Sequence, residues 1–299
     1  MIKVGSPAPD FRSAAAAALS DAAAVAGLSA QGARLIRLFG TAVYHLPAAE
    51  AVARIAPLTS PAHVTQVATS VHVTRWLTAS GYPAVEPLPV DQPVTSHQCV
   101  TTFWKYLPQH DPEPGTADLG YLLRALHQLP PPPVPLPAYQ PLTSVGRAIQ
   151  ASRAIDDDDR FWLSAHYDRL LADYARLTFE LPAGLIHGDA WRGNLLRDGH
   201  RAVLADWDTV STGPRETDLI PTLQAARFGL APAQRDAFVT AYGHDIRSWD
   251  GYQVLRDIRE LSTLSALLRD GSVSAAARRE LQARLRSLRT GDDGQWATF

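Results

Sequence analysis

"LIHGDAWRGNLLRDGHRAVLADWD", running from Leu185 to Asp208, sets a histidine, an asparagine and several aspartates among runs of Leu, Ile, Val and Ala. Buried strands exclude carboxylates, so these groups belong to turns or to chemistry. "GLIH" predicts a short strand, "GDAWRGN" a loop, "LL" a second strand and "AVLAD" a third, with "RDGH" as the turn between the last two. That order projects His187, Asp189 and Asn194 from the loop, and Asp206 from the end of a strand, toward one point. Asn194 lies five residues after Asp189, and Asp206 twelve further on.

Phosphoryl transfer asks for such a set. Magnesium is a hard ion that takes oxygen ligands, which an Asn carbonyl and an Asp carboxylate supply. A second carboxylate must orient the attacking hydroxyl and accept its proton, and in a loose transition state an ordinary Asp, with a pKa of about 4, suffices. Asp189 fits the base, and Asn194 and Asp206 fit the metal. Taken singly, each Asp reads as a cap or turn former and His187 as a core residue. Order and spacing together reverse that reading.

The rest of the chain supplies the setting. Its 299 residues are 46% hydrophobic and 19% charged, enough for one large globular domain or two smaller ones. A formal net charge of -2 gives no reason to expect nucleic acid or a membrane surface as a partner. Cys99 is the only cysteine, which excludes an intramolecular disulfide and suits a cytoplasmic location. The run Ala14 to Ala18 is flanked by charge and reads as a helix, not a leader. No window approaches the roughly 18 apolar residues of a membrane span.

After that helix, "ARLIRLF", "TAVYHLP" and "AVARIAP" predict an antiparallel meander, and Ser60-Pro61 opens a helix that stops at Gly81. "GYPAVEPLPV" and "HQCVTTFWKYLP" predict two more strands. Beyond Thr116 the pattern is helical, beginning with the leucine stripe of "TADLGYLLRALHQL", which Pro130 to Pro133 end. "PPPPVPLP" reads as a stiff connector before a polyproline ligand. Further helices are expected at about 143–153, 158–177, 216–228, 232–242, 249–269 and 273–289. The expected architecture is α+β, with a small antiparallel-sheet lobe over residues 1–107, closed by a hinge near Trp104 to Pro108, and a larger, mostly helical lobe over 108–299. The first part carries seven Lys and Arg against five acids and the second 21 against 25. That bias suits a triphosphate on the first lobe, though random scatter explains it equally.

"HGDAWRGN" followed by "DWD" resembles the catalytic and metal-binding motifs of the aminoglycoside phosphotransferase and choline kinase superfamily, whose fold is that of protein kinases. "TTFWKYLP" resembles the family's hinge strand, and "LGYLLRALHQL" and "GPRETDLI" extend the likeness over most of the chain. The resemblance implies a bilobal protein-kinase-like fold and a magnesium-dependent kinase using ATP or GTP. It implies Asp189 as catalytic base, His187 as the residue that orients its loop, and Asn194 and Asp206 as magnesium ligands. Asp208 joins them through water or serves structure, and Asp218 ties the catalytic loop to the following helix. Arg192 is a candidate contact for the γ phosphate or an anionic acceptor, with solvent as its alternative. Gly40, Trp104, Lys105 and Tyr106 fall at the phosphate-covering loop and the nucleotide hinge.

Two departures stand out. The phosphate-gripping Lys of the third strand is absent, since the two lysines are Lys3 and Lys105. Arg54 occupies its place, and a guanidinium can grip phosphate bidentately. Residues 57–85 contain no Asp or Glu to pair with it, which leaves Gln66, Ser70 or His72 as stand-ins. For the acceptor, Arg256, Asp257 and Glu260 are candidates, although Arg256 and Glu260 also suit a helix-surface pair. "IDDDDRFW" suits either an acidic wall or a helix cap. The leading expectation is a kinase that phosphorylates a hydroxyl of an antibiotic, conferring resistance. A metabolite kinase acting on an amino alcohol or sugar, and a nucleotide-binding pseudokinase, are the alternatives.

Overall fold

The computed structural model describes residues 9–270 and 274–297; Lys3 lies outside them. A helix, α1 (Pro9–Val25), precedes strands β1 (Arg34–Leu38), β2 (Ala42–Leu46), β3 (Ala51–Pro57), β4 (Val94–Ser96) and β5 (Cys99–Lys105). These strands form an antiparallel sheet in the order β1-β2-β3-β5-β4. α1 lies on one face, where Ala15, Ala18 and Ala22 are fully buried against Ala51, Ala53, Ile55 and Phe103. Small side chains on both partners allow close approach. Because side chains alternate along a strand, burying Ala53 and Ile55 under α1 turns Arg54 to the other face. There α2 (Pro61–Ala79) packs, its N-terminus capped by the Ser60 hydroxyl accepting the His63 N–H at 3.3 Å.

The stretch "GYPAVEPLPV" does not form the expected strand, and β4 takes its place at Val94–Ser96. Pro83, Pro87 and Pro89 lack the N–H that a continuous ladder needs. The segment instead bonds by single residues to both lobes. Leu88 donates to the Phe103 carbonyl (2.9 Å), Val85 donates to the Leu204 carbonyl (3.0 Å), and the Leu204 N–H donates to the Pro83 carbonyl (2.9 Å).

The second lobe contains α3 (Thr116–Leu126), α4 (Thr143–Ala151) and α5 (Asp157–Tyr174), then strands β6 (Gly184–Ile186), β7 (Leu195–Asp198), β8 (Arg201–Leu204) and β9 (Ser211–Gly213). Helices α6 (Glu216–Gln224), α7 (Pro232–Tyr242), α8 (Tyr252–Ser262), α9 (Leu264–Asp270) and α10 (Ala275–Thr290) complete it. The whole is a bilobal α+β fold of the protein-kinase type. β7 and β8 form the predicted hairpin, and β9 is a strand that the sequence did not announce; it pairs with β6. The end of the proline segment docks on β9, with the Thr212 N–H on the Pro137 carbonyl at 2.9 Å. The span 216–228 is α-helical only to Gln224 and then tightens into a 3-10 turn, and the single helix expected over 249–269 breaks at Thr263. The Thr263 hydroxyl bonds back to the Glu260 carbonyl at 2.7 Å.

The leucine stripe of α3 is buried as expected, with Leu119, Leu123 and Leu126 fully inside. Gly120 sits where α3 crosses α7, and a Cβ there would lie 2.5 Å from the Phe238 carbonyl oxygen and 2.8 Å from the Ala241 Cβ. Gly120→Ala is therefore expected to destabilise the protein by about 1–3 kcal/mol despite alanine's better helix propensity, as overpacking does. Denaturant unfolding of the variant checks the sign. The acidic run is explained by capping: Asp156 accepts the Asp159 N–H at 2.8 Å, and Asp159 itself pairs with Arg289 at 2.9 Å. No helix among the described residues is long and apolar enough to cross a membrane.

Candidate active site

The loop after β6 is held from beneath by Asp218, on α6. Its carboxylate accepts the backbone N–H groups of His187 and Gly188, both at 2.8 Å, and bonds the His127 ring at 3.1 Å. Burial pushes the Asp218 pKa up, but the hydrogen bond and charge of His127, with His187, outweigh it and hold the carboxyl below its usual value. His127 in turn meets the Tyr242 hydroxyl at 2.9 Å. Gly188 has φ +83°, and a Cβ there would lie 2.4 Å from the Thr209 carbonyl oxygen, so only glycine fits this turn.

His187 is fully buried, with its Nε2 3.0 Å from the Ala205 carbonyl, while its Nδ1 accepts the Asp189 N–H at 3.3 Å. Those partners set the Nε2–H tautomer. The ring thus ties the loop to the end of β8 and faces no open space. Asp189, by contrast, projects outward with its side chain 37% exposed. Asn194 is buried and donates its amide Nδ2 to the Asp189 carbonyl at 3.0 Å, which leaves its Oδ1 as the available donor atom. Arg192 is exposed on the same loop.

Asp206 follows β8 with φ +66°, a left-handed conformation rare outside glycine, and it starts the 3-10 turn that carries Asp208. Arg54 reaches across from β3 and bridges the two, Nη2 to Asp206 at 2.9 Å and Nη1 to Asp208 at 2.5 Å. Burial works against its charge, but Asp208 and Asp206 more than restore it and raise its pKa. The partners missing from α2 are therefore these two aspartates. Gln66 bonds the Asp208 backbone carbonyl (2.7 Å), not Arg54, Ser70 has a buried hydroxyl with no partner, and His72 is exposed.

The remaining nucleotide-site candidates are scattered. Gly40 is exposed in the β1–β2 turn, with no atom within 4 Å of a Cβ built on it and no positive φ, so nothing there requires glycine. Trp104 is buried with its Nε1 on the Thr102 hydroxyl at 2.9 Å. The Lys105 ammonium lies 3.9 Å from Glu86 and borders a separate cavity of about 480 Å3 with Thr78, Tyr82 and Arg201, away from Asp189 and Asp206. Tyr106 stacks on His45 at 3.8 Å, and its N–H is taken by the Glu50 carbonyl at 2.9 Å. The structure does not gather these side chains around the aspartates.

Of the acceptor candidates, Glu260 is buried and bridges Arg227 (2.8 Å) and Arg256 (3.0 Å), which makes it a packing anchor inside the lobe. Asp257 accepts the Gln253 amide at 2.7 Å, and burial raises its pKa. The residue that does reach the catalytic loop was missed: Arg259 of α8 places Nη1 2.8 Å from an Asp189 carboxylate oxygen. No local pattern separates Arg259 from Arg256 in "VLRDIRELS". Only the passage of α8 over the loop does.

Comparison with known proteins bears on the fold and the family. The model of the phosphotransferase enzyme family matches residues 39–258. No curated protein sequence matches. Among solved structures, an amicoumacin kinase in complex with AMP-PNP and Ca2+ is similar at TM-score 0.74 and 12% identity, over 97% of this chain and 98% of that one. A microcompartment-associated aminopropanol kinase gives 0.71 and 15%, over 95% and 100%. An aminoglycoside phosphotransferase from Streptomyces rimosus gives 0.59 and 15%, over 83% and 98%. At such identities the likeness speaks for the fold, and the family match covers most of the chain. The chain therefore belongs to the phosphotransferase enzyme family, whose members act on hydroxyl groups of small molecules.

Proposed function

We propose that this chain is a magnesium-dependent kinase that transfers the γ-phosphate of ATP or GTP to a hydroxyl of an antibiotic. The observation that supports the reading is the linkage of Asp189 to Asn194 (3.0 Å), and of Asn194 through the Ala205 N–H (2.8 Å) to the turn carrying the Arg54–Asp206–Asp208 cluster, on a loop held by buried Asp218. Asp189 would accept the proton of the attacking hydroxyl. The acceptor oxygen bonds the γ-phosphorus, the bond from that phosphorus to the β–γ bridging oxygen breaks, and ADP or GDP leaves.

Asn194 Oδ1, Asp206 and Asp208 form a hard oxygen donor set, which fits magnesium. Among the described residues no group of three His, Cys, Asp or Glu gathers for a metal. Bound there, the ion supplies neutralisation of phosphate charge. Arg54 would grip phosphate oxygens once released from the aspartates, and Arg192, exposed on the loop after β6, would assist. Arg54→Met is expected to raise the nucleotide KM by about ten-fold or more, the scale of one charge-assisted contact, with kcat less affected. Steady-state kinetics at varied nucleotide check it. A reducing cytoplasm suits the lone, buried Cys99.

Support for an antibiotic acceptor comes from the likeness to amicoumacin and aminoglycoside kinases. The likeness to an aminopropanol kinase supports the second reading, a metabolite kinase. Incubating the protein with magnesium, γ-labelled ATP or GTP and pooled hydroxylated antibiotics, amino alcohols and sugars decides between them, with Asp189→Ala alongside. Label on an antibiotic, wild type only, is the expected result. Label confined to a metabolite establishes the second reading, and nucleotide binding with no transfer makes the protein a pseudokinase.

A further inference from the structure

The helical lobe holds a small polar cavity of about 220 Å3, bordered by Gln224, Arg227, Arg235, Tyr252, Arg256 and Asp293. Three of these side chains are guanidiniums. Arg227 is buried and held by Glu260 through Nε (2.8 Å) and Nη2 (2.9 Å), and Arg256 shares the same carboxylate at 3.0 Å. Arg235 has no ion-pair partner among the described residues, and its buried Nε donates to nothing. Gln224 is 3% exposed, and its amide Nε2 is likewise without a partner. Natural proteins rarely bury two donors unsatisfied beside one another, and such groups call for an explanation.

The remaining anion of the cavity is Asp293, which comes from the chain after α10. It ion-pairs with Arg256 and lies 3.7 Å from Arg227, yet its own side chain is 72% exposed. An exposed carboxylate resting on two guanidiniums is a covering that an incoming anion can displace at little cost, whereas buried Glu260 is not.

We infer that this cavity is a binding site for a small carboxylate- or phosphate-bearing anion. Its oxygens replace those of Asp293 on Arg256 and Arg227 and accept the free donors Arg235 Nε and Gln224 Nε2. The site has a route to the chemistry, because Tyr252 and Arg256 stand on the same helix as Arg259, the partner of Asp189. The anion is either a group carried by the acceptor or a separate effector. Binding itself does not depend on the proposed kinase activity; only its effect on transfer does.

Titration calorimetry of the full chain without nucleotide, using inorganic phosphate and malonate, tests the inference. Saturable binding is expected, weakened about ten-fold by Arg235→Gln, the scale of one charge-assisted hydrogen bond. Asp293→Asn, which removes the competing carboxylate, is expected to tighten binding several-fold, a gain that a purely structural role for Asp293 does not produce. Asp189→Ala should leave binding unchanged. Thermal unfolding without anion should show Arg235→Gln as stable as wild type, since that guanidinium pairs with nothing. Absence of saturable binding, equal binding by wild type and Arg235→Gln, or weaker binding by Asp293→Asn overturns the proposal. In the label-transfer assay, an anion carried by the acceptor makes Arg235→Gln raise KM for a hydroxy acid but not for a neutral alcohol. A separate effector makes added phosphate change the rate with both alike.

Discussion

Asp189→Asn is expected to lower kcat for transfer by about 10²–10⁴-fold, the range for a lost general base, while nucleotide binding survives. The side chain is 37% exposed and makes no contact on which the fold rests, so the melting temperature should stay close to wild type. Its ion pair with Arg259 makes the prediction sharper. In the wild type a guanidinium lies 2.8 Å away and, if Asp189 is the base, would compete with the acceptor hydroxyl for the carboxylate. Arg259→Ala should therefore change the acceptor KM and leave the nucleotide KM alone, whereas Asp189→Asn acts on kcat. Steady-state kinetics with both substrates varied separate the two. A fall in kcat of less than ten-fold for Asp189→Asn would remove it from the role of base.

Asp218→Asn should cost stability rather than only rate. The carboxylate receives two backbone N–H groups at 2.8 Å and the His127 ring at 3.1 Å; the bonds from His187 and His127 are buried and that from Gly188 is half-buried. An amide can accept through one oxygen alone, so its NH2 would face a donor. Breaking a buried network of this kind costs about 3–5 kcal/mol. At roughly 2–4 °C per kcal/mol for a chain of this size, the melting temperature should fall by on the order of 10 °C. The pH dependence follows from the depressed Asp218 pKa. A carboxyl whose folded pKa lies below its unfolded value stabilises the fold above the unfolded value, 3.8, and the gain disappears as pH falls through the lower, folded one. Wild type should thus lose stability in acid below pH 3.8 through this group. The variant, with no carboxyl there, should lack that contribution at neutral pH and so converge on wild type as acid is added.

The motif residues were legible because they sit at strand ends, where local pattern and spacing determine placement. Asp189, Asn194 and Asp206 needed only the order strand, loop, hairpin, and Arg54 needed only its place on the third strand of the meander. Sequence failed where prolines imitated a strand, since "GYPAVEPLPV" has the apolar content of one but lacks the donors to pair continuously. It failed again at Thr263, where a helix breaks without glycine or proline. Resemblance located Trp104 and Lys105 at the end of a strand, where β5 does end, but side-chain direction depends on packing that spacing does not encode. Arg259, Arg235 and Gln224 were invisible for the same reason, because their meaning comes from elements that meet only in three dimensions.

The Arg54 bridge has a consequence for how the cleft fills. With one cation shared between two anions of the opposite lobe, that cation is already paired, and the cluster keeps a net negative charge, before any nucleotide arrives. Occupation is then an exchange of counter-ions, in which the guanidinium passes from carboxylates to phosphates. Added salt screens both halves of such an exchange, so nucleotide affinity should vary with ionic strength less steeply than for a cleft that must first gather its countercharge.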